Sequence, residues 1–287
     1  MNRSILLYPL LALVAAPGAS HAANSFDACT GYITSLPALL DTQGTWCFNR
    51  DLSFNPGTGE AIIVAANNVT IDCNGFKLGG LSGGPGTTAV GIASENRQNT
   101  TVRGCNIRGF LVGVGIEGIG SGHLVEDNRF DNNRFAGILV QGEGAQVHRN
   151  RVFDTGGGTM PVPTLGIAVT GGSTEVRDNL VFGVEATPGS GSDAYGIVAQ
   201  GLDFGRIAGN SVRFVVPDGA GTGWGIGVQA ALYVAVDDNH VATVGTGGVG
   251  IGCDGDGTLV RDNLVQGFAT PLDALCRDEG GNASFSH

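Results

Sequence analysis

A valine or isoleucine, an asparagine three residues later and an apolar residue two positions further on recur along most of this chain. Seven segments have this frame: Ile71-Asn74-Phe76, Val125-Asn128-Phe130, Val147-Asn150-Val152, Val176-Asn179-Val181, Ile207-Asn210-Val212, Val236-Asn239-Val241 and Val260-Asn263-Val265. An eighth, Val102-Cys105-Ile107, has cysteine in place of asparagine. A small residue and then isoleucine or valine precede each frame: Ala61-Ile62, Gly91-Ile92, Gly113-Val114, Gly137-Ile138, Gly166-Ile167, Gly196-Ile197, Gly225-Ile226 and Gly250-Ile251. Such a repeat predicts stacked units, here called coils one to eight in chain order, that bury apolar surface between neighbours.

The asparagine of each frame lies where the chain must turn sharply between two short strands. Asparagine tolerates left-handed backbone geometry, and its amide can hydrogen-bond to identical residues in the coils above and below. We therefore expect the seven asparagines to form a buried ladder rather than a ligand site.

Differences in coil length fall at one corner, between the end of one coil and the next small residue. The connections at 78–90, 154–165, 183–195 and 214–224 are long and rich in Gly, Pro, Ser and Thr, whereas those of coils two, three and seven are short. Insertions at one corner project from one face, which in repeat proteins is often the binding face. We expect coils two and three to form a floor walled by the loops of coils one and four to six.

These features together resemble the right-handed parallel β-helix of the pectate-lyase-like superfamily, over about residues 61–268. The resemblance implies an all-β, single-domain solenoid of about eight coils, with substrate along the outer face of the first strand of each coil. The predicted organisation is a signal peptide at 1–22, an N-terminal cap and partial coil at 23–60, the repeats at 61–268 and a C-terminal cap or tail at 269–287.

The first residues have the pattern of a secretory signal. Arg3 precedes an apolar run at 5–16, which is too short to span a bilayer, and Ser20-His21-Ala22 fits a cleavage site. A secreted or periplasmic location is predicted. The net charge of −11 argues against nucleic-acid or anionic-membrane partners, and an acidic polysaccharide would need a bridging cation.

Six cysteines in an exported chain favour disulfides over a metal site, because no Cys-x-x-Cys or clustered histidine spacing is present. Fifteen pairings are possible, and the repeat register favours one of them: Cys29–Cys47, Cys73–Cys105 and Cys253–Cys276. The first and last of these would staple the two ends, and Cys73 and Cys105 lie one register step apart in adjacent coils.

A polar row is predicted on the outer face of the first strands: Glu95, Glu117, Gln141, Thr170, Gln200, Gln229 and Asp254. It could hydrogen-bond successive sugars, although outward residues of any half-exposed strand are polar. Tyr195 and Trp224 each end a long loop in adjacent coils, so exposed rings would form a sugar-stacking platform. Apolar residues at that position in other coils favour core packing instead. The candidate substrate-binding residues are Glu117, Gln141, Gln200, Gln229, Tyr195 and Trp224.

Candidates for catalysis are fewer. Glu95 and Glu117 on neighbouring coils could serve a glycosidase or bind Ca²⁺. Arg149 and Arg177 could serve a lyase, although the charged second strands that carry them favour a surface ion-pair network. Asp127 and Asp178, on the same strands, are candidate Ca²⁺ ligands. Of the hydrolase signatures of the superfamily only Asp237-Asp238 is present, out of context, and its lyase motifs are not recognisable.

The sequence thus predicts an exported β-helix that binds a polysaccharide along its outer groove. Two alternatives are open: a polysaccharide lyase or glycoside hydrolase of the same superfamily, and a non-catalytic structural or envelope-associated protein. Whether the chain is an enzyme is not decided by its motifs.

Overall fold

The computed structural model describes residues 29–244, 247–254 and 257–285, so the predicted signal peptide lies outside the described residues. Short strands that pair only in parallel dominate it, and a 3-10 helix at Leu81–Gly83 lies in the connection after coil one. In chain order the strands are β1 (Gly31–Tyr32), β2 (Ala38–Leu40), β3 (Gly44–Cys47), β4 (Leu52–Ser53), β5 (Glu60–Val64), β6 (Val69–Asp72), β7 (Lys77–Gly79), β8 (Val90–Glu95), β9 (Thr101–Arg103), β10 (Asn106–Arg108), β11 (Val112–Glu117), β12 (Leu124–Glu126), β13 (Arg129–Asp131), β14 (Ala136–Gln141), β15 (Gln146–His148), β16 (Arg151–Gly156), β17 (Thr164–Thr170), β18 (Glu175–Arg177), β19 (Leu180–Glu185), β20 (Ala194–Gln200), β21 (Arg206–Ala208), β22 (Ser211–Val216), β23 (Gly223–Gln229), β24 (Ala235–Asp237), β25 (His240–Ala242), β26 (Val249–Cys253), β27 (Leu259–Arg261), β28 (Leu264–Gln266), β29 (Thr270–Leu272), β30 (Arg277–Gly280) and β31 (Ala283–Phe285).

The strands stack into three parallel sheets that run the length of a solenoid. The first sheet contains every third strand from β2 to β29, the second runs from β1 through β3 to β30, and the third runs from β4 to β31. The predicted all-β solenoid is therefore confirmed. The stack is longer than the predicted eight coils, because β2–β4 add a turn before residue 61 and β29–β31 extend the stack beyond residue 268.

The predicted register of the first strands is confirmed. Ile62 pairs with Ile92, and the same position continues in register through every coil to Ile251. These side chains are fully buried and belong to one continuous hydrophobic core. A glycine precedes most of them because the third strand of the coil approaches closely: a Cβ on Gly196 would lie 2.2 Å from Val212 Cγ1.

A ladder of asparagines fills the corner between the second and third sheets. The side-chain amide of each residue from Asn128 to Asn263 donates to the next asparagine Oδ1 at 2.9–3.1 Å. Each backbone N–H donates to that same oxygen, so every asparagine donates two hydrogen bonds to the asparagine of the next coil. Asn282, which the repeat frames did not include, forms the last rung. At the other end the Cys105 N–H donates to Asn128 Oδ1 at 2.9 Å.

Two details of the predicted turn are wrong. In the six coils from Asn128 to Asn263, the residue before the asparagine takes the left-handed conformation, with φ between 54° and 66°. The asparagine itself points inward, since its amide must reach both neighbouring coils, so the preceding exposed residue makes the turn. In coil one Asn74 does have φ of 49°, but the turn there is two residues longer, and Leu78 rather than Phe76 pairs with Ile107.

The six cysteines pair as the register indicates. Cys29 bonds to Cys47, Cys73 to Cys105 and Cys253 to Cys276, and no free cysteine is present among the described residues. The first and third bonds lie near the two ends of the stack. The second lies at the corner where the asparagine ladder stops, so a disulfide bond takes the place of the next pair of asparagines.

The long connections lie at the corner between the third sheet and the first, as predicted. The loop after coil one and the loop after coil four, around Pro85 and Thr159, meet beside Leu111 and Phe135 of the short connections between them. In the described part of the chain, no helix is long and apolar enough to cross a membrane.

Candidate groove on the first sheet

A groove of about 290 Å³ lies on the outer face of the first sheet, over strands β14, β17, β20 and β23. Its surface combines an apolar strip with a polar row. The apolar strip includes Leu139, Leu165, Ala168 and Val198, with Phe135 and Pro163 of the loop corner at one edge. The polar row is Gln141, Thr170, Gln200 and Gln229.

The predicted outward row is present in register. Glu95 pairs with Glu117, Gln141 with Thr170, Thr170 with Gln200, and Gln200 with Gln229. Part of its hydrogen-bonding capacity is used within the protein. Gln141 Oε1 accepts the Gly118 N–H at 3.1 Å, and Gln200 Nε2 donates to Gln229 Oε1 at 2.8 Å.

The groove floor differs from the expected one. It covers coils four to seven, whereas coils two and three were expected to form it. The reason is that the loops after coils one and four close over the corner of coils two and three and leave almost no space between them. Glu117 therefore lies one coil beyond the Gln141 end of the groove.

Tyr195 and Trp224 lie on the outer surface, so the interpretation that favoured core packing is wrong. Their rings stack with centroids 5.9 Å apart and planes 5° from parallel. Tyr195 lines the groove, while the Trp224 ring covers the next coil, where a Cβ on Gly252 would lie 2.4 Å from it. The pair forms a half-buried aromatic platform at the loop side of the row.

The Tyr195 hydroxyl is held as a hydrogen-bond donor. It donates to Asp193 Oδ2 at 3.2 Å, and Asp193 Oδ1 accepts the Thr222 N–H at 2.7 Å. Partial burial and the Asp193 carboxylate raise the pKa of Tyr195, and a hydrogen bond from Gln229 offsets part of that rise. The phenol therefore stays neutral at physiological pH and is not poised to act as a base.

A second aromatic pair, Phe204 and Tyr233, was missed by sequence reasoning. Their rings stack at 5.3 Å and 15° in the turns that follow β20 and β23, and they are 71% and 65% exposed. The sequence does contain a signal for this pair. Phe204 lies nine residues after Tyr195, and Tyr233 lies nine residues after Trp224, so both pairs have the same coil-to-coil spacing. Both residues have φ near 58°, a strained conformation for an aromatic residue.

The other catalytic candidates do not join this groove. Glu95 and Glu117 are exposed neighbours at one end of the row. Arg149 and Arg177 belong to the turn and strand of the second sheet, a different face of the solenoid. Arg149 donates to Asp127 Oδ1 at 2.9 Å and to Glu126 Oε2 at 2.5 Å, so the charged set forms the expected surface ion-pair network.

Electrostatics on the second sheet follow from that network. The hydrogen bond from Arg149 holds the pKa of Asp127 below its ordinary value. Burial, together with the positive charges of Arg149 and Arg177, lowers the pKa of His148. No group of three or more His, Cys, Asp or Glu side chains that could hold a metal ion occurs among the described residues, so Asp127 and Asp178 are not part of such a cluster.

Comparison with known proteins agrees with this architecture. Residues 41–212 match the sequence family described as the right handed beta helix region. Since the match covers more than half of the 287 residues, the chain belongs to that family. No curated protein matches the chain.

Three solved structures share the solenoid. The A-module of the Azotobacter vinelandii mannuronan C-5 epimerase AlgE6 is 14% identical, with a TM-score of 0.52 over 89% of this chain and 80% of its own. A double mutant of the periplasmic alginate epimerase AlgG is 11% identical, with a TM-score of 0.52 over 84% of this chain and 70% of its own. The Dettilon tailspike protein gp208 is 15% identical, with a TM-score of 0.50 over 88% of this chain and 51% of its own. At these sequence identities the similarity shows a shared fold and no more.

Proposed function

We propose that this protein binds an uncharged polysaccharide along the outer face of its first sheet. The observation that carries the proposal is the Tyr195–Trp224 stack beside the glutamine row of the same two coils. Sugar rings have apolar faces and hydroxyl edges, so an aromatic plane next to carboxamides matches both surfaces. Two of the aligned proteins are epimerases named for mannuronan and alginate, and the shared solenoid supports a sugar-polymer ligand.

The charge of the first sheet argues for an uncharged glycan ligand. The described strands of the first sheet contain no lysine or arginine and three carboxylates, Glu60, Glu95 and Glu117. A uronate polymer on this face would meet negative charge without a cationic partner. The residues that line the groove are themselves neutral.

The two aromatic pairs lie at opposite ends of the same two first-sheet strands. Tyr195 and Phe204 lie on either side of Gln200, and Trp224 and Tyr233 lie on either side of Gln229 in the next coil. The six residues from Tyr195 to Gln200 correspond to about 17 Å of extended chain. This length of strand offers room for several sugar units beside the Tyr195–Trp224 platform.

Titration of the purified protein with uncharged and uronate oligosaccharides by calorimetry tests the proposal. We expect binding of an uncharged glycan, a loss of about tenfold or more in Trp224→Ala and Gln200→Ala, and little change in Phe285→Ala and Gln146→Ala. The two controls remove an exposed aromatic ring and an exposed amide from other faces. Equal losses in test and control variants, or no binding of uncharged glycans, would refute it.

A hydrolase is the second candidate, favoured by the registered pair Glu95 and Glu117. Carboxyl groups about 5 Å apart suit a retaining glycosidase, and directly paired residues of neighbouring strands have that spacing. A reducing-end assay decides between binder and enzyme. Turnover that Glu117→Gln abolishes, with binding intact, supports the hydrolase; binding without any release of reducing ends leaves a binding protein.

Export is part of the proposal. Three disulfides in the described residues suit an oxidising compartment. Fractionation of cells that express the full chain, followed by N-terminal sequencing of the mature protein, tests this; a cytoplasmic protein that retains Met1 would contradict it.

A further inference from the structure

The outer face of the third sheet concentrates positive charge in an otherwise acidic protein. Its strands from β7 to β28 carry five basic residues and three carboxylates, whereas the whole chain has a net charge of −11. The basic residues are Lys77, Arg108, Arg129, Arg151 and Arg213. This face therefore attracts anions that the rest of the molecule repels.

The register brings two of these cations directly together. Arg129 pairs with Arg151 on the neighbouring strand. Like charges in directly opposed positions destabilise a sheet, and Asp131 pairs with Arg129 but not with Arg151. An anion bound between the two guanidinium groups would remove that cost.

Several of the cations are only partly compensated. Asp131 lies 3.4 Å from Arg129 and 3.9 Å from Arg108, so one carboxylate serves both. Among the described residues, Arg151 and Arg213 take part in no ion pair, and Arg213 Nη2 lies 3.4 Å from the His240 ring nitrogen. Arg108 Nε is buried and has no hydrogen-bond partner in the described structure.

A ladder of aromatic rings lies between the cations. Phe153, Phe182 and Phe214 come from consecutive coils, with ring centroids 6.4 Å and then 4.8 Å apart. Phe182 and Phe214 are 37% and 39% exposed. The Arg129 guanidinium stands 4.4 Å from the centroid of Phe153, which joins the ladder to the basic cluster.

A cavity adjoins the basic end of this face. It holds about 340 Å³ and is lined by Lys77, Asn106, Arg108, Arg129 and Asp131, together with Asp51. At the other end, Arg213, Phe214 and His240 line a second depression of about 210 Å³. Basic and aromatic groups thus extend over coils one to seven along the solenoid axis.

We propose that this face is a second glycan site, which binds an anionic polysaccharide. Its carboxylate or sulfate groups would accept hydrogen bonds from Arg151 and Arg213, while its sugar rings stack on Phe182 and Phe214. Arginine suits this role because its planar fork pairs with carboxylate and sulfate-like anions. The site is distinct from the first-sheet groove in both position and ligand charge.

Affinity electrophoresis through gels that contain alginate, heparin or dextran tests the proposal. Wild-type protein should be retarded by an anionic polymer, alginate or heparin, and the one retained identifies the anionic group. This face should contribute nothing to any retardation by dextran, because dextran is uncharged. Raising the salt from about 50 mM to about 300 mM should weaken the retardation, because exposed ionic contacts are screened.

Matched variants separate this face from net charge. We expect Arg151→Gln/Arg213→Gln to weaken binding about tenfold or more. Arg177→Gln/Arg277→Gln removes the same charge from the second sheet and should stay within about twofold of wild type. Phe182→Ala should also weaken binding, with the charge unchanged. Equal losses in the two double variants, or no retardation of wild type by either anionic polymer, would overturn the site.

The groove variants keep the two glycan sites apart. Trp224→Ala should lose uncharged-glycan binding and retain anionic-polymer binding, so either proposal can fail alone. Analytical ultracentrifugation of wild type and Arg151→Gln/Arg213→Gln tests whether a second copy of this chain, rather than a glycan, occupies the face. A dimer that these substitutions break, in a protein that no anionic polymer retards, would assign the face to a second copy of this chain and contradict the proposal.

Discussion

The two ends of each third-sheet strand are built on opposite principles. At its start, six coils turn in the same way, with a left-handed residue followed by a buried asparagine. At its end, where the chain crosses to the next first strand, connections range from the three residues 109–111 to the ten residues 80–89. The first corner repeats because every rung must bond to the next. The second is free to vary because its loops lie outside the stack. The ladder corner thus adds a repeated set of hydrogen bonds to the stability of the core, and the loop corner sets the shape of the groove.

The largest expected effect is at the middle of the ladder. Asn179→Ala would leave the buried backbone N–H of Asn150 without its acceptor, and it would remove the side-chain hydrogen bonds of Asn179 to the neighbouring coils. One unsatisfied buried donor and the lost ladder hydrogen bonds together cost about 4 kcal/mol, which should appear in the free energy of unfolding by chemical denaturation. Asn282→Ala at the half-buried last rung is the matched control and should cost about 1 kcal/mol. If both variants lose the same amount, the ladder does not act as a cooperative column.

The cysteine that replaces an asparagine provides the second test. Removal of the Cys73–Cys105 bond in Cys73→Ala/Cys105→Ala should cost about 3 kcal/mol. Cys73→Ala/Cys105→Asn should recover about 1 kcal/mol, because the new carboxamide can donate to Asn128 Oδ1, which already accepts the Cys105 N–H. Thermal unfolding of both variants measures the difference. Equal melting temperatures would show that the ladder position does not extend to this coil.

The smallest effect is expected at the variable corner. Replacement of residues 157–163 by a four-residue connection of the length found at 132–135 should change the free energy of unfolding by less than about 1 kcal/mol. Glycan affinity should fall, since Pro163 lines one edge of the groove. The same denaturation and calorimetry experiments apply. A loss of stability as large as that of Asn179→Ala would erase the distinction between the corners.

Much of the fold was predictable because periodicity reports burial directly. The spacing of valines and asparagines fixed the strand register, and the register in turn favoured the cysteine pairs that the structure contains. The outward position of Tyr195 was not predictable in the same way. Both Gly196 and Ile197 face the core, so the simple alternation of a strand breaks before the glycine. Valine and leucine at the same position in other coils then gave a misleading impression of core packing.

Features that depend on side chains far apart in the sequence were also not predicted. The third-sheet ladder of Phe153, Phe182 and Phe214 is not evenly spaced in the sequence, and its third member comes one residue later than the register requires. Phe204 and Tyr233 have the same spacing as Tyr195 and Trp224. They lie in turns with positive φ, and the repeat pattern of the strands does not predict the conformation of those turns.

The final strand of the second sheet, β30, has a consequence for solubility. A solenoid of parallel strands ends in an open edge, which could accept a strand from another molecule. β30 presents Arg277, Asp278, Glu279 and Gly280, all exposed, at that edge. Charged side chains disfavour the addition of a further strand, so this edge of the second sheet resists association with another molecule.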